Sequence, residues 1–145
     1  MVIVAAVQMN SGTSVDRNLE VAGRLLARAR EAGAELAVLP ENFALMPASE
    51  RDKLRLAEEP GRGPIQEFLA RTASELGLWI VAGTIPIAIG DPARCAAASL
   101  VFTADGRQLT RYDKIHLFDV ELPGRDERYR ESATVRPGQE LALAD

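Results

Sequence analysis

Residues 33–43, which read GAELAVLPENF, contain the signals that decide the fold class. Their centre, residues 36–39, is a short apolar run typical of a buried strand. Pro40 ends this run because proline cannot donate a hydrogen bond to a strand ladder. Gly33 suits the position just after a helix, since glycine readily adopts the left-handed conformation found there. The stretch therefore predicts the end of a helix followed directly by a buried strand.

The sequence before this stretch predicts a first strand and the helix. Residues 2–8 form an apolar run of strand-forming side chains, as expected for a buried strand. A helix is predicted over residues 16–32, with Thr13 as its N-cap and Asp16 completing a capping box. Apolar residues then recur at helical spacing along one face. A strand, a helix and a strand in this order indicate two neighbouring buried strands.

The sequence after this stretch continues the alternation. Pro64 favours the start of a helix over residues 65–76, and Gly77 favours its end. The Asp105-Gly106 pair is typical of a hairpin turn between two strands. We further predict strands at 79–85, 97–102 and 108–112 and a short helix at 50–58. Residues 90–94 are predicted to form a loop, and the chain from residue 119 onward is predicted to be loop with a weak closing strand at 140–144. An α/β fold follows, with a mixed sheet, helices covering one face and no internal domain boundary.

Composition excludes several classes of protein. The chain has 145 residues, of which 47% are hydrophobic and 26% charged, as in globular rather than disordered or fibrous chains. A net charge of −4 disfavours binding to nucleic acid or to an anionic membrane surface. No apolar run approaches the length of a membrane span, and residues 1–9 lack the positive region of a signal peptide. A single cysteine cannot form an internal disulfide, so we expect a cytoplasmic protein.

Two charged residues follow predicted strands and are candidates for chemistry. Glu41 comes directly after the strand at residues 36–39, at the end where open α/β sheets bind ligands. Apolar neighbours such as Phe43 suit it to proton transfer. Lys114 follows the strand at residues 108–112 and is one of only two lysines, which favours a site that needs a compact ammonium group. The alternatives are a solvent-exposed turn residue for Glu41 and an ordinary surface lysine for Lys114.

Other reactive side chains carry weaker signals. His116, Asp119 and Glu121 are close in sequence, but their spacing matches no standard metal site. A structural, hydrogen-bonded histidine is the expectation. Cys95 lies among small residues in a predicted loop without a histidine nearby in sequence, which indicates a semi-buried, inert thiol rather than a nucleophile. We therefore expect neither a metal nor a cofactor.

Four segments, taken together, resemble a known family. They are AAVQM at residues 5–9, GAELAVLPENF at 33–43, VAGTIP at 81–86 and YDKIHLFD at 112–119, and YRES at 129–132 extends the match. In this order and spacing they resemble the carbon–nitrogen hydrolase (nitrilase) superfamily, in its Nit-type amidase branch. The resemblance spans nearly the whole chain. It implies the N-terminal part of an α-β-β-α sandwich, in which a second half packs on the sheet face that the helices leave uncovered.

The resemblance also implies a Glu–Lys–Cys catalytic triad. Glu41 matches the general base that takes the proton of the thiol, and Lys114 matches the residue that stabilises the oxyanion. Glu131 matches a second acidic residue that helps to position the substrate and orients Lys114. In this chemistry a thiolate attacks an amide carbonyl, ammonia leaves, and water hydrolyses the thioester. We therefore expect Glu41, Lys114 and Glu131 to meet at one end of the sheet.

One residue of the implied triad has no match. In the family the nucleophilic cysteine follows the lysine and a Pro-Gly segment, here Pro137-Gly138, and the chain reaches Asp145 before that position. Cys95 precedes Lys114 and does not match. Residues 1–145 are therefore interpreted as a single partial domain that is inactive alone. A fragment, a truncated reading frame and one piece of a split enzyme remain open.

The predicted function is that of the N-terminal portion of an amidase. It would hydrolyse a small carboxylate-bearing amide to acid and ammonia through a cysteine acyl-enzyme, with no nucleic-acid or membrane partner. The full-length form is expected to be a homo-oligomer. One alternative is a nitrilase or carbamoylase of the same superfamily. The other, from a different class, is a non-catalytic remnant that only binds or dimerises.

Overall fold

A computed structural model describes residues 1–121 and 128–144, and five of its strands form one mixed sheet. The strand order is β1-β2-β3-β4-β5, in which β1, β2 and β3 are parallel neighbours and β4 and β5 pair antiparallel. The strands are β1 (Val4–Ala6), β2 (Leu36–Val38), β3 (Trp79–Asp91), β4 (Arg94–Phe102) and β5 (Gln108–Asp113). A separate antiparallel pair joins β6 (Asp119–Glu121) to β7 (Arg128–Arg130), and a 3₁₀ turn follows at Glu131–Ala133. The predicted α/β fold with a mixed sheet is confirmed.

Two helices cover one face of the sheet. In α1 (Val15–Glu31) and α3 (Pro64–Leu76) the buried residues recur at three- and four-residue spacing, so each helix presents one apolar stripe to the core. Gly33 follows α1 and Gly77 ends α3, both at positive φ, as predicted. The short helix α2 (Glu50–Arg55) contacts β3 and β4. No helix in the described ranges is long and apolar enough to cross a membrane.

The two faces of the sheet differ in what covers them. Ala37 and Ile80 are direct partners across β2 and β3, and both are fully buried in the core beneath the helices. Val38 pairs with Val81, which pairs in turn with Val101, and this row lies on the opposite face because strand side chains alternate. Val38 is 37% exposed, and Val4 on the same face is 57% exposed. The face that α1 and α3 leave uncovered therefore carries apolar side chains, as expected.

The N-cap of α1 is Ser14 and not Thr13, so the predicted capping box was wrong. Ser14 has the extended backbone that an N-cap needs, and its Oγ accepts a hydrogen bond from Arg17 N at 3.4 Å. Both residue types can cap a helix. The choice between two adjacent candidates is made by the backbone path into the helix, which the sequence pattern does not specify.

Strand lengths differ from prediction in both directions. β1 and β2 have three residues each, fewer than predicted. β3 and β4 are longer because they pair with each other as far as Asp91 and Arg94. The predicted loop at 90–94 is therefore shortened to a turn at residues 92–93, and Cys95 lies within β4. The predicted strand at 140–144 does not form, and the region after Asp119 contains β6 and β7 instead of loop alone.

Candidate functional site

Three charged side chains from distant parts of the chain meet at one end of the sheet. Glu41 lies just after β2, Lys114 just after β5, and Glu131 in the 3₁₀ turn. Lys114 Nζ is 2.7 Å from Glu41 Oε1 and 3.0 Å from Glu131 Oε2. The structure thus brings together all three residues that the sequence singled out. Their catalytic roles remain a prediction.

A close approach between backbones sets the position of Glu41. A Cβ atom on Gly83 would lie 1.9 Å from the carbonyl oxygen of Pro40, so β3 can pass this turn only with a glycine there. Asn42, which directly follows Glu41, has a φ of 56°, a left-handed conformation that asparagine tolerates better than most residues. Its backbone N–H donates to Thr84 Oγ1 at 3.2 Å. The turn is therefore fixed on both sides of Glu41.

Lys114 is held by backbone contacts on both sides. Its N–H donates to the carbonyl of Ala97 at 2.9 Å, which extends the pairing of β5 with β4 by one residue. Its own carbonyl accepts from Gly138 N at 2.9 Å. A Cβ atom on Gly138 would lie 2.1 Å from the carbonyl oxygen of Asp113, so this contact also requires glycine. The strand and the Pro137-Gly138 segment together fix the base of the lysine side chain.

Glu131 is buried, in contrast to Glu41. Its side chain is 9% exposed, whereas that of Glu41 is 54% exposed. Glu131 Oε2 accepts a hydrogen bond from Phe118 N at 2.7 Å in addition to its contact with Lys114. Asp119 accepts from the backbone N–H of Ser132, which holds the 3₁₀ turn against β6. The carboxylate of Glu131 therefore has a fixed position, and that of Glu41 is open to a ligand.

Opposing effects act on the ammonium group of Lys114. Partial burial lowers the pKa of Lys114, but hydrogen bonds and ion pairs with Glu41 and Glu131 outweigh burial and raise it above the ordinary value. The lysine therefore remains a cation, which suits it to stabilise negative charge that develops on a bound oxygen. The exposed carboxylate beside it is placed to accept a proton from a group that approaches from solvent.

Cys95 does not belong to this open site. It is 1% exposed within β4, and its Sγ lies 3.6 Å from the carbonyl oxygen of Thr134. Burial raises the pKa of the Cys95 thiol, and the charge of Lys53 offsets only part of this effect. The interpretation as an inert thiol agrees with this position, although the cysteine is fully buried and lies in a strand instead of a loop.

The expectation that no metal is bound concerned His116, Asp119 and Glu121, which lie in or near β6. Asp119 uses its carboxylate to accept hydrogen bonds from the N–H and Oγ of Ser132, which lowers the pKa of Asp119. Glu121 lies within 4.0 Å of Arg128 and Arg130 on β7. No group of three or more potential metal ligands occurs among the residues that the structure describes.

Sequence reasoning missed one residue of this region, Lys53 on α2. Its ammonium group is buried and lies 3.9 Å from Glu131 Oε1. The scarcity of lysine in the chain was a signal for Lys53 as well as for Lys114, but Lys53 lies in the short helix predicted at residues 50–58, with no strand end beside it. Its contact with Glu131 depends on how α2 packs in three dimensions.

Comparison with known proteins identifies the family to which the chain belongs. Residues 3–145 match the family model described as carbon-nitrogen hydrolase. The chain is 36% identical over 143 residues to deaminated glutathione amidase of Yersinia enterocolitica, covering 98% of this chain and 49% of that protein. It is 34% identical over 140 residues to omega-amidase NIT2 of Danio rerio, covering 97% of this chain and 49% of that protein. The chain thus spans about half the length of the curated relatives it matches.

Solved structures agree with this match. The NitFhit protein of C. elegans superimposes with a TM-score of 0.84 at 28% identity, covering 96% of this chain and 34% of that one. Nit3 of Saccharomyces cerevisiae, a member of branch 10 of the nitrilase superfamily, gives a TM-score of 0.81 at 28% identity, covering 98% of this chain and 50% of that one. Sequence, fold and site geometry lead to one conclusion: the chain belongs to the carbon–nitrogen hydrolase family.

Proposed function

We propose that the chain supplies the general base and the oxyanion-stabilising lysine of an amidase active site. The observation that carries this proposal is the position of Lys114, which lies within 3.0 Å of both an exposed and a buried carboxylate. Charged groups gathered in this way cost desolvation energy, so they are found most often where they serve a site. Membership of the carbon–nitrogen hydrolase family supports the same assignment.

In the proposed reaction Glu41 accepts the proton of a cysteine thiol. The thiolate attacks the amide carbonyl carbon, and Lys114 stabilises the negative charge on the carbonyl oxygen. The C–N bond then breaks, and the nitrogen takes the proton from Glu41 and leaves as ammonia. Glu41 next accepts a proton from water, which attacks the thioester and releases the acid and the thiol. Glu131 orients Lys114 throughout.

The nucleophile of this reaction is not Cys95. Its thiol is buried away from solvent in β4, and its raised pKa disfavours the thiolate. By family resemblance the nucleophile follows Pro137-Gly138 at a position beyond residue 145. We therefore expect residues 1–145 by themselves to release no ammonia from amides.

The substrate class proposed is a small amide that carries a carboxylate. The support comes from the relatives, which by name are deaminated glutathione amidases and omega-amidases. These relatives act on small molecules, and we extend that to the present chain. A cytoplasmic location and a homo-oligomeric full-length form also belong to the proposal. The first rests on the single cysteine of the chain, since an oxidising compartment favours disulfides.

A hybrid enzyme tests the proposal. Residues 1–145 replace the matched half of the Danio rerio omega-amidase, whose remaining half supplies the nucleophile. Release of ammonia from succinamate, a short primary amide with a carboxylate, is the measurement. The hybrid is expected to release ammonia, and residues 1–145 alone are not. The Cys95→Ala hybrid is the matched control and is expected to keep its activity.

Three outcomes would contradict the proposal. A hybrid that folds, as judged by a cooperative thermal transition, yet releases no ammonia would show that this chain cannot supply the base and the lysine. Turnover by residues 1–145 alone that disappears in Cys95→Ala would make Cys95 the nucleophile. If that turnover survived Cys95→Ala but was lost in Glu41→Gln, the site would operate without any cysteine.

A further inference from the structure

Lys53 is a buried lysine in a chain that has only two. It lies in α2 and is 8% exposed. Lysine is almost never buried to this extent unless a partner compensates its charge. The partners of Lys53 are Glu50 Oε2 at 3.1 Å, on the same helix, and Glu131 Oε1 at 3.9 Å, in the 3₁₀ turn. The contact within the helix is an ordinary i,i+3 pair and does not account for the contact with Glu131.

The two oxygens of Glu131 are divided between two ammonium groups. Oε2 faces Lys114 and accepts from Phe118 N, while Oε1 faces Lys53. Thr134, just after the 3₁₀ turn, donates from its Oγ1 to Glu50 Oε2 at 3.2 Å. Helix α2 therefore contacts the turn that carries Glu131 at two points, one ionic and one through a hydroxyl.

Charges alternate along this row of side chains, which is exposed at both ends and buried at its centre. The order is Glu41, Lys114, Glu131, Lys53 and Glu50, three carboxylates separated by two ammonium groups. Cys95 on β4 is the other titratable neighbour of Lys53, and burial favours its neutral thiol. Without Lys53, the buried carboxylate of Glu131 would keep only one of its two cationic partners.

We propose that Lys53 is a positioning residue that holds the second oxygen of Glu131 and so fixes the carboxylate that orients Lys114. Its importance for catalysis rests on the proposed function. The coupling of the two ammonium groups through Glu131 is a property of the chain itself and can be measured without substrate.

Lysine NMR tests this coupling directly. Labelling with [ε-13C]lysine gives two side-chain signals, because the chain has two lysines, and Lys53→Arg assigns them. At neutral pH both signals are expected to move in the Glu131→Gln variant, because the carboxylate of Glu131 contacts both ammonium groups. Glu41→Gln is the comparison and is expected to move the Lys114 signal alone.

Variants of Lys53 then separate positioning from a purely structural role. In Lys53→Met the Lys114 signal is expected to move from its wild-type position toward its position in Glu131→Gln, because the second oxygen of the carboxylate is no longer held. Lys53→Arg is expected to restore the wild-type position. Arg51→Met, which removes an exposed charge from the same helix, is the matched control and is expected to leave the Lys114 signal in place. A structural role alone would lower the melting temperature of Lys53→Met without moving the Lys114 signal.

Three results would overturn this proposal. The first is a Glu131→Gln variant in which either lysine signal stays in place, which decides the question even if Lys53→Met fails to fold. The second is an unmoved Lys114 signal in folded Lys53→Met, and the third is an equal movement of that signal in Arg51→Met. An inactive hybrid enzyme combined with the expected NMR shifts would contradict the proposed function, while Lys53 would still be shown to hold the carboxylate of Glu131.

Discussion

Lys114 lies between two carboxylates that occupy opposite environments. The Glu41 side of the site is open, since more than half of that side chain is exposed and only the lysine contacts its carboxylate among the described residues. The Glu131 side is closed, with a backbone N–H, a second ammonium group and little exposed surface. The difference supports the proposed division of roles, in which the open acid exchanges protons with a ligand and the closed acid holds the lysine in place. Function and stability should therefore respond to the two acids in opposite ways.

The largest expected effect is on the activity of the hybrid enzyme. Glu41→Gln is expected to lower kcat by about 10²–10⁴-fold, because an amide side chain cannot act as general base. Its melting temperature is expected to stay close to that of the parent, since the side chain is exposed. Glu59→Gln, at another exposed glutamate, serves as the control and should change neither quantity. A Glu41→Gln hybrid that retains its kcat would contradict the role of Glu41 as the general base.

The next effect is on the stability of residues 1–145. Glu131→Ala is expected to lower the free energy of unfolding by about 3–5 kcal/mol, because it leaves two ammonium groups and Phe118 N without their shared partner. Glu41→Ala is expected to cost about 0–1 kcal/mol, as for an exposed ion pair. Urea denaturation measures both. Equal losses from the two variants would mean that the closed side is not the structural one.

A smaller effect concerns the turn that carries Glu41. Gly83→Ala is expected to cost about 1–3 kcal/mol, because the added Cβ would overlap the carbonyl oxygen of Pro40 and force that turn to move. Gly12→Ala is the matched control, since an added Cβ there has no neighbour within 4 Å. Thermal unfolding of both variants compares them. If Gly83→Ala unfolds like Gly12→Ala, the close approach does not fix Glu41.

The smallest expected effect appears at alkaline pH. Because the pKa of Lys114 is raised in the folded chain, its contribution to stability is fully present below the ordinary lysine pKa and is lost as the pH rises through the folded value. The stability difference between the wild-type chain and Lys114→Met should therefore shrink with rising pH. Urea denaturation across the alkaline range measures this difference. Parallel curves for the two chains would be inconsistent with a raised pKa.

The same contrast explains how much of the site could be predicted from the sequence. Glu41 and Lys114 each follow a strand, and strand ends are visible in the pattern of apolar runs and turn residues. Glu131 lies in a short 3₁₀ turn without periodicity, and only family resemblance identified it. Lys53 could not be predicted, because its burial results from the packing of α2 against a turn far along the chain.

The fold shows a similar contrast: features set by local sequence were predicted, and features set by long-range pairing were not. Helices α1 and α3 stop within two residues before Gly33 and Gly77, as predicted, because the glycine signals that stop a helix are local. The extension of β3 and β4 to Asp91 and Arg94 depended on their mutual pairing, which local sequence does not determine. The N-cap of α1 is Ser14 and not the predicted Thr13 for a related reason, because the backbone path into the helix decides between the two.

The central claim is that Lys114 is a cation shared by an open and a closed carboxylate. The most direct test is the alkaline titration of the Lys114 ε-13C signal in the wild-type chain, in Glu41→Gln, in Glu131→Gln and in the double variant. We predict that each single variant lowers the pKa of Lys114. The double variant should bring it below the ordinary lysine value, because only burial then acts on it. An unchanged pKa in either single variant would contradict the claim.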